Sequence, residues 1–149
     1  MTELIQLTES DSRPSAHGFA LFNKGFRTFF ALASLHAALL VPVWVGAVTG
    51  VVPIPEIGMS WHAHEMLFGF TLAVIAGFLL PAVPNWTGRE TARGGFLAAL
   101  GLIWLAGRVA PFVVSPPDAA LAEHAFIPVL LVAMAKTIIP AGNRRNYAF

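Results

Sequence analysis

Apolar positions along this chain gather into four long runs, Phe29–Val52, Met66–Val83, Gly95–Val114 and Ala119–Ile139, each edged by Pro, Gly or charge. Each run comes close to the roughly 20 apolar residues that an α-helix needs to cross the hydrocarbon layer of a bilayer. The pattern predicts an all-α, polytopic transmembrane helical bundle of four spans, a domain covering residues 26–149. Before it lies a polar segment, residues 1–25, carrying Glu3, Glu9, Asp11, Arg13 and Lys24. That segment lacks the short apolar core and small-residue cleavage site of a signal peptide, so the first span is expected to remain as an uncleaved anchor.

Composition agrees with the pattern. Of 149 residues, 56% are hydrophobic and 11% charged, against about 25% charged in ordinary soluble domains. The net charge of +1 supplies no basic footprint, which argues against nucleic acid as a partner. The absence of cysteine excludes disulfides, thiolate metal sites, iron–sulfur clusters and covalent haem attachment through a CxxCH motif. Any metal must be held by His, Met, carboxylate or backbone oxygen.

Charge also predicts orientation. Arg13, Lys24 and Arg27 precede the first span, Arg89 and Arg93 lie between the second and third, and Arg144 and Arg145 follow the fourth, while the other two connections have no Lys or Arg. Because positive charge marks cytoplasmic loops, both termini and the Asn85–Gly94 loop are expected in the cytoplasm. The Pro53–Trp61 and Ser115–Asp118 connections are expected outside. Reporter fusions at Gly88 and Phe149 should therefore be active only on the cytoplasmic side; periplasmic activity at either would overturn the topology. Trp44, Trp61 and Trp86 fall near predicted span ends and suit interfacial anchoring. Gly69, Ala73 and Gly77 form a small-residue stripe that lets helix backbones approach closely.

Ionisable groups at membrane depth are costly and point to function, each with a partner to be named. Here they are His36, Glu65, Arg108, Glu123 and His124, with His62 and His64 at the mouth of the second span. Counting ~1.5 Å per residue gathers all but His36 near the outer third of the membrane. His36 is expected deeper, about 10 Å away along the axis. Successive helical residues turn by ~100°, so His62 and His64 on a regular helix point apart and cannot share one ion. An extended start to the span would instead allow a His-x-His copper or zinc chelate. The competing readings are structural: interfacial histidines bonded to carbonyls or headgroups, His36 bonding across helices, and Arg108 snorkelling or paired with Glu123 rather than clamped on a haem propionate. Lys136 suits snorkelling, and Met59, Met66 and Met134 suit packing.

Neutral imidazoles in a cysteine-free bundle suit b-type haem or copper. The candidate haem or metal ligands are His62, His64 and His124, with Arg108 and Glu65 around the cofactor and His36 as a further metal candidate. His64 or His62 with His124 is the candidate bis-His pair. No nucleophile–base pair, phosphate-cradling Gly-rich loop or HExxH motif is present, so no catalytic step can be derived.

Specific strings add to this. Gly25-Phe26-Arg27-Thr28-Phe29-Phe30, the Trp61 to Gly69 run WHAHEMLFG, the Gly77 to Gly88 run GFLLPAVPNWTG and Asn143-Arg144-Arg145-Asn146-Tyr147 resemble, in this order, the N-terminal part of the NnrS family. Thr28 and Pro81 depart from that family's usual Pro and Thr. The resemblance implies a bacterial inner-membrane, multi-pass protein of the nitric oxide response and of protection from nitrosative stress. It further implies haem and copper, His62 and His64 as the foremost site residues, and further spans beyond the NRRNY string or a protein subunit as partner, besides lipid. Two other classes compete: a b-type haem electron-transfer subunit working with quinone, and a metal-free structural or assembly subunit of a larger membrane complex.

Overall fold

The structure, a computed structural model, describes residues 20–142. Among these described residues four helices are long and apolar enough to cross a membrane: α1 (Gly25–Val48), α2 (Met59–Thr87), α3 (Gly94–Phe112) and α4 (Pro116–Ala141). This is the expected all-α, four-span bundle, and the reason is general. Hydrocarbon offers no partner for backbone N–H and C=O groups, so a spanning segment must satisfy them within itself.

The helices form two hairpins, α1 on α2 and α3 on α4, closed by α1–α3 and α2–α4 contacts. Phe29, Leu80, Val83, Leu97, Leu100 and Phe126 fill the centre, with the Phe29 and Phe126 rings 5.5 Å apart. Leu35, Leu39, Leu102, Leu121 and Leu131 are exposed on the periphery of the four helices. The small-residue stripe of α2 lies on α1, as its pattern predicts: a Cβ on Gly77 would meet the Phe30 ring and Cβ of Phe29, and one on Gly69 would strike the His36 ring.

Prolines inside spans leave carbonyls that need other donors. Pro84 cannot donate to the Leu80 carbonyl, and the Thr91 hydroxyl from the following loop does so at 2.7 Å. Gly88 ends α2 in the left-handed region (φ 67°), the conformation that glycine adopts without a Cβ penalty.

The helix ends differ from the hydropathy edges. α1 starts at Gly25 and stops at Val48, so it is shifted towards the N-terminus relative to the expected Phe29–Val52. α2 starts at Met59 rather than Met66, which takes the whole WHAHE string into the helix. Hydropathy underrates that first turn because its His and Glu are polar; the cover that neighbouring helices give them is a tertiary effect.

Within α2, Met59–His64 is α-helical, Glu65–Thr71 is π-helical and Leu72–Thr87 is α-helical again. The Leu72 amide reaches back to Leu67, and the Thr71 hydroxyl donates to the Met66 carbonyl at 2.8 Å. Such wide turns inside α-helices are frequent at functional sites.

Candidate functional site

Glu65, at the junction of the α and π segments, is the centre of a polar cluster. It is buried at 3% exposure. Nη1 of Arg108, from α3, donates to both carboxylate oxygens at 3.1 Å. From α1, Nε2 of His36 lies 3.3 Å from Oε2 of Glu65 and 3.4 Å from its backbone carbonyl. Both neighbours only accept, so in the neutral ring Nε2 carries the proton. Gly69 leaves room for the imidazole here. Trp104, one turn before Arg108, meets the His36 ring edge-on with centroids 5.4 Å apart and donates its indole N–H to the Gly69 carbonyl at 3.1 Å.

Two expectations need correction. His36 is not remote from the cluster but in contact with it. α1 reaches only Val48, four residues short of the expected edge, which raises His36 by about 6 Å; α2 starts seven residues early, which sinks Glu65 by about 10 Å to meet it. Arg108 is neither snorkelling nor paired with Glu123: its partner is Glu65, because the guanidinium and the carboxylate face each other across the bundle interior, both almost fully buried.

On the other side of Glu65 stands His64. Its Nδ1 lies 3.5 Å from Oε1 of Glu65 and its Nε2 lies 3.9 Å from Oε2 of Glu123, on α4. Both separations exceed a hydrogen bond, so the ring sits between two carboxylates without closing on either. One ligand atom from each of His64, Glu65 and Glu123 lies within 4.8 Å of the others. Tetrahedral bonds of ~2.1 Å put ligand atoms about 3.4 Å apart, a contraction that side-chain rotation supplies. Counting both carboxylates as ionised, Arg108 neutralises one and leaves the other to compensate a cation. Gly107 makes the arrangement possible, since a Cβ there would lie 3.0 Å from Cα of Glu123 and hold α4 away.

The remaining described histidines stand apart. His62 diverges from His64, as a helical start dictates, and stacks on Trp44 with ring centroids 3.9 Å apart and planes inclined by 12°. The His-x-His chelate is therefore not formed. His124 is exposed; its Nδ1 bonds the Ala120 carbonyl at 2.7 Å, which fixes Nε2 as its open ligand atom. Phe68 contacts both His64 and His124, with centroid distances of 4.8 and 5.7 Å.

These residues fit an ion better than a macrocycle. The cleft that His36 and Arg108 line measures about 260 Å³, below the ~300–1,000 Å³ of cofactor-sized pockets. Arg108 is committed to Glu65 rather than held out for a propionate. The donor set of one imidazole and two carboxylates is that of a divalent ion.

Residues 20–149 match the family model described as NnrS protein. The chain belongs to the NnrS family. No curated protein and no solved structure matches it. In this NnrS protein the strings that carry the resemblance meet in space: Gly25 of the first approaches Leu80 of the third, Phe29 and Phe30 lie over Gly77, and the WHAHE string supplies His64 and Glu65. The Asn143–Tyr147 string lies outside the described residues, as do residues 1–19 of the polar N-terminal segment. Trp104, Gly69 as the seat of His36, and Gly107 had no place in the sequence reading. An indole N–H four residues before a mid-span arginine was the available signal for Trp104.

Proposed function

We propose that this NnrS membrane protein resides in the bacterial inner membrane, acts in the response to and protection from nitric oxide, and holds a metal ion, copper by family resemblance, at His64, Glu65 and Glu123. The observation that carries the metal assignment is the convergence of these three ligand atoms from two helices. A copper ion held there would supply a one-electron couple and a coordination position for a diatomic ligand. The chain's own residues do the rest. His64 offers a neutral imidazole nitrogen, Arg108 and His36 fix the rotamer of Glu65, and Glu123 approaches through the clearance at Gly107. Phe68 packs its ring against that of His64.

Metal analysis of purified protein loaded with copper tests this reading. His64→Ala and Glu123→Gln should each abolish stoichiometric copper, whereas His62→Ala should leave it intact because that ring is stacked on Trp44. His36→Gln, at a residue whose one contact among the three ligands is Glu65, should weaken affinity by about 10–100-fold. Full copper content in the His64→Ala, Glu123→Gln double variant would falsify the site. Haem in the purified protein by pyridine haemochrome, without copper, would transfer the reading to the electron-transfer class, and neither cofactor to the structural class.

A further inference from the structure

Between α1 and α3 lies the cleft of about 260 Å³ whose walls and floor differ in chemistry. Leu35, Leu39 and Leu105, with Val109 and Phe112, form its walls and are exposed at its rim, so at bilayer depth it opens sideways on the outer face of these four helices. At its floor stand His36, Glu65, Trp104 and Arg108, their polar atoms almost wholly covered. Arg108 is 9% exposed, and although Nη1 is taken by Glu65, its Nε–H is buried with no hydrogen-bond partner. A buried donor without a partner costs free energy that an acceptor in the cleft would recover on moving aside the side chains that cover the guanidinium.

The requirements on that acceptor are strict. It must enter from the hydrocarbon layer, so its body is apolar. It must be uncharged, because Arg108 is already neutralised by Glu65 and a second anion beside that carboxylate in a low-dielectric site is repelled. Its size is that of one substituted ring, with any tail left in the bilayer. We propose that the cleft binds a neutral lipophilic carbonyl compound of the quinone class, a ring carbonyl accepting from Nε–H of Arg108 and the ring lying among the leucines beside Trp104. Neither His64 nor Glu123 lines this cleft, and the proposal does not depend on the metal assignment.

The chain has no cysteine, which makes a single Leu39→Cys reporter at the rim clean. Two readouts on the purified, full-length protein in lipid nanodiscs test the proposal: quenching of tryptophan fluorescence by a decyl-substituted benzoquinone, and protection of the thiol in the Leu39→Cys variant from a lipophilic maleimide by the same compound. Saturable quenching and matching protection are expected, with dioleoylglycerol, an ester carbonyl source, giving neither. Leu105→Phe, which fills the cleft, and Arg108→Lys, which keeps a charge for Glu65 but deletes Nε–H, should each weaken binding by at least about tenfold, the equivalent of one good hydrogen bond or one lost contact set. Leu105→Phe should do so with copper content unchanged, which separates this site from the metal site. Non-saturating quenching that is equal in wild type and Leu105→Phe overturns the proposal. So does protection by dioleoylglycerol alone, or a reporter thiol shielded before any ligand is added, which would place another helix over the cleft.

Discussion

Arg108→Met will lower the stability of the protein by about 3–5 kcal/mol, the cost of removing one member of a buried ion pair. The guanidinium donates to both oxygens of a carboxylate that is itself 3% exposed. Methionine fills much of the same space but leaves Glu65 with His36 alone and a charge that the bundle cannot solvate. The destabilisation comes from that stranded carboxylate and not from the value of the pair itself, because two buried ions each lose several kcal/mol of hydration on leaving water. The double variant Glu65→Gln, Arg108→Met should therefore recover most of the loss while still lacking copper. Denaturant-induced unfolding in mixed micelles, followed by tryptophan fluorescence, gives both numbers. Equal losses in the single and double variants would show that Arg108 contributes through packing alone.

Gly69→Leu will separate α1 from α2 and should destabilise the protein by at least about 1–3 kcal/mol, the usual cost of overpacking a well-filled core. Even a Cβ at this position strikes the His36 imidazole and comes to 3.0 Å from a Glu65 oxygen. The substitution thus affects the helix interface and the cluster together: copper affinity should fall with stability. Gly77→Leu, which meets Phe29 and Phe30 two turns further along, should cost a similar amount of stability with a smaller effect on copper. Gly95→Leu is the control, because nothing lies within 4 Å of a Cβ there. A Gly69→Leu protein as stable as the control would remove this glycine from the helix contact.

Solvent preference belongs to each residue separately, and every feature that depends on it was legible along the chain. Four apolar runs dictate four spans because an uncompensated backbone cannot lie in hydrocarbon. Gly69, Ala73 and Gly77 mark a close helix contact because only small side chains allow one, and Glu65, Arg108 and the histidines stand out because lipid penalises them. Partner choice is a different quantity. Glu65 meets His36 and Arg108 from 29 and 43 positions away, and those encounters depend on where each helix begins, how far it is rotated and how deeply it slides past its neighbour. The first seven residues of α2 are too polar for hydropathy to admit, yet Trp61, His62, His64 and Glu65 among them are buried or half-buried by neighbouring helices, and their inclusion moved Glu65 to the depth of His36. The position of the π-helical turn, which hydrophobic periodicity does not register, sets the path of α2 past Glu65 and Gly69. Tertiary packing decided that His62 and His64 part, that Glu123 rather than His124 joins the converging ligands, and that Arg108 keeps one donor unpaired. Each of these is a consequence of rotating and sliding rigid helices by a few ångströms, which changes contacts completely while leaving the hydropathy of every residue the same.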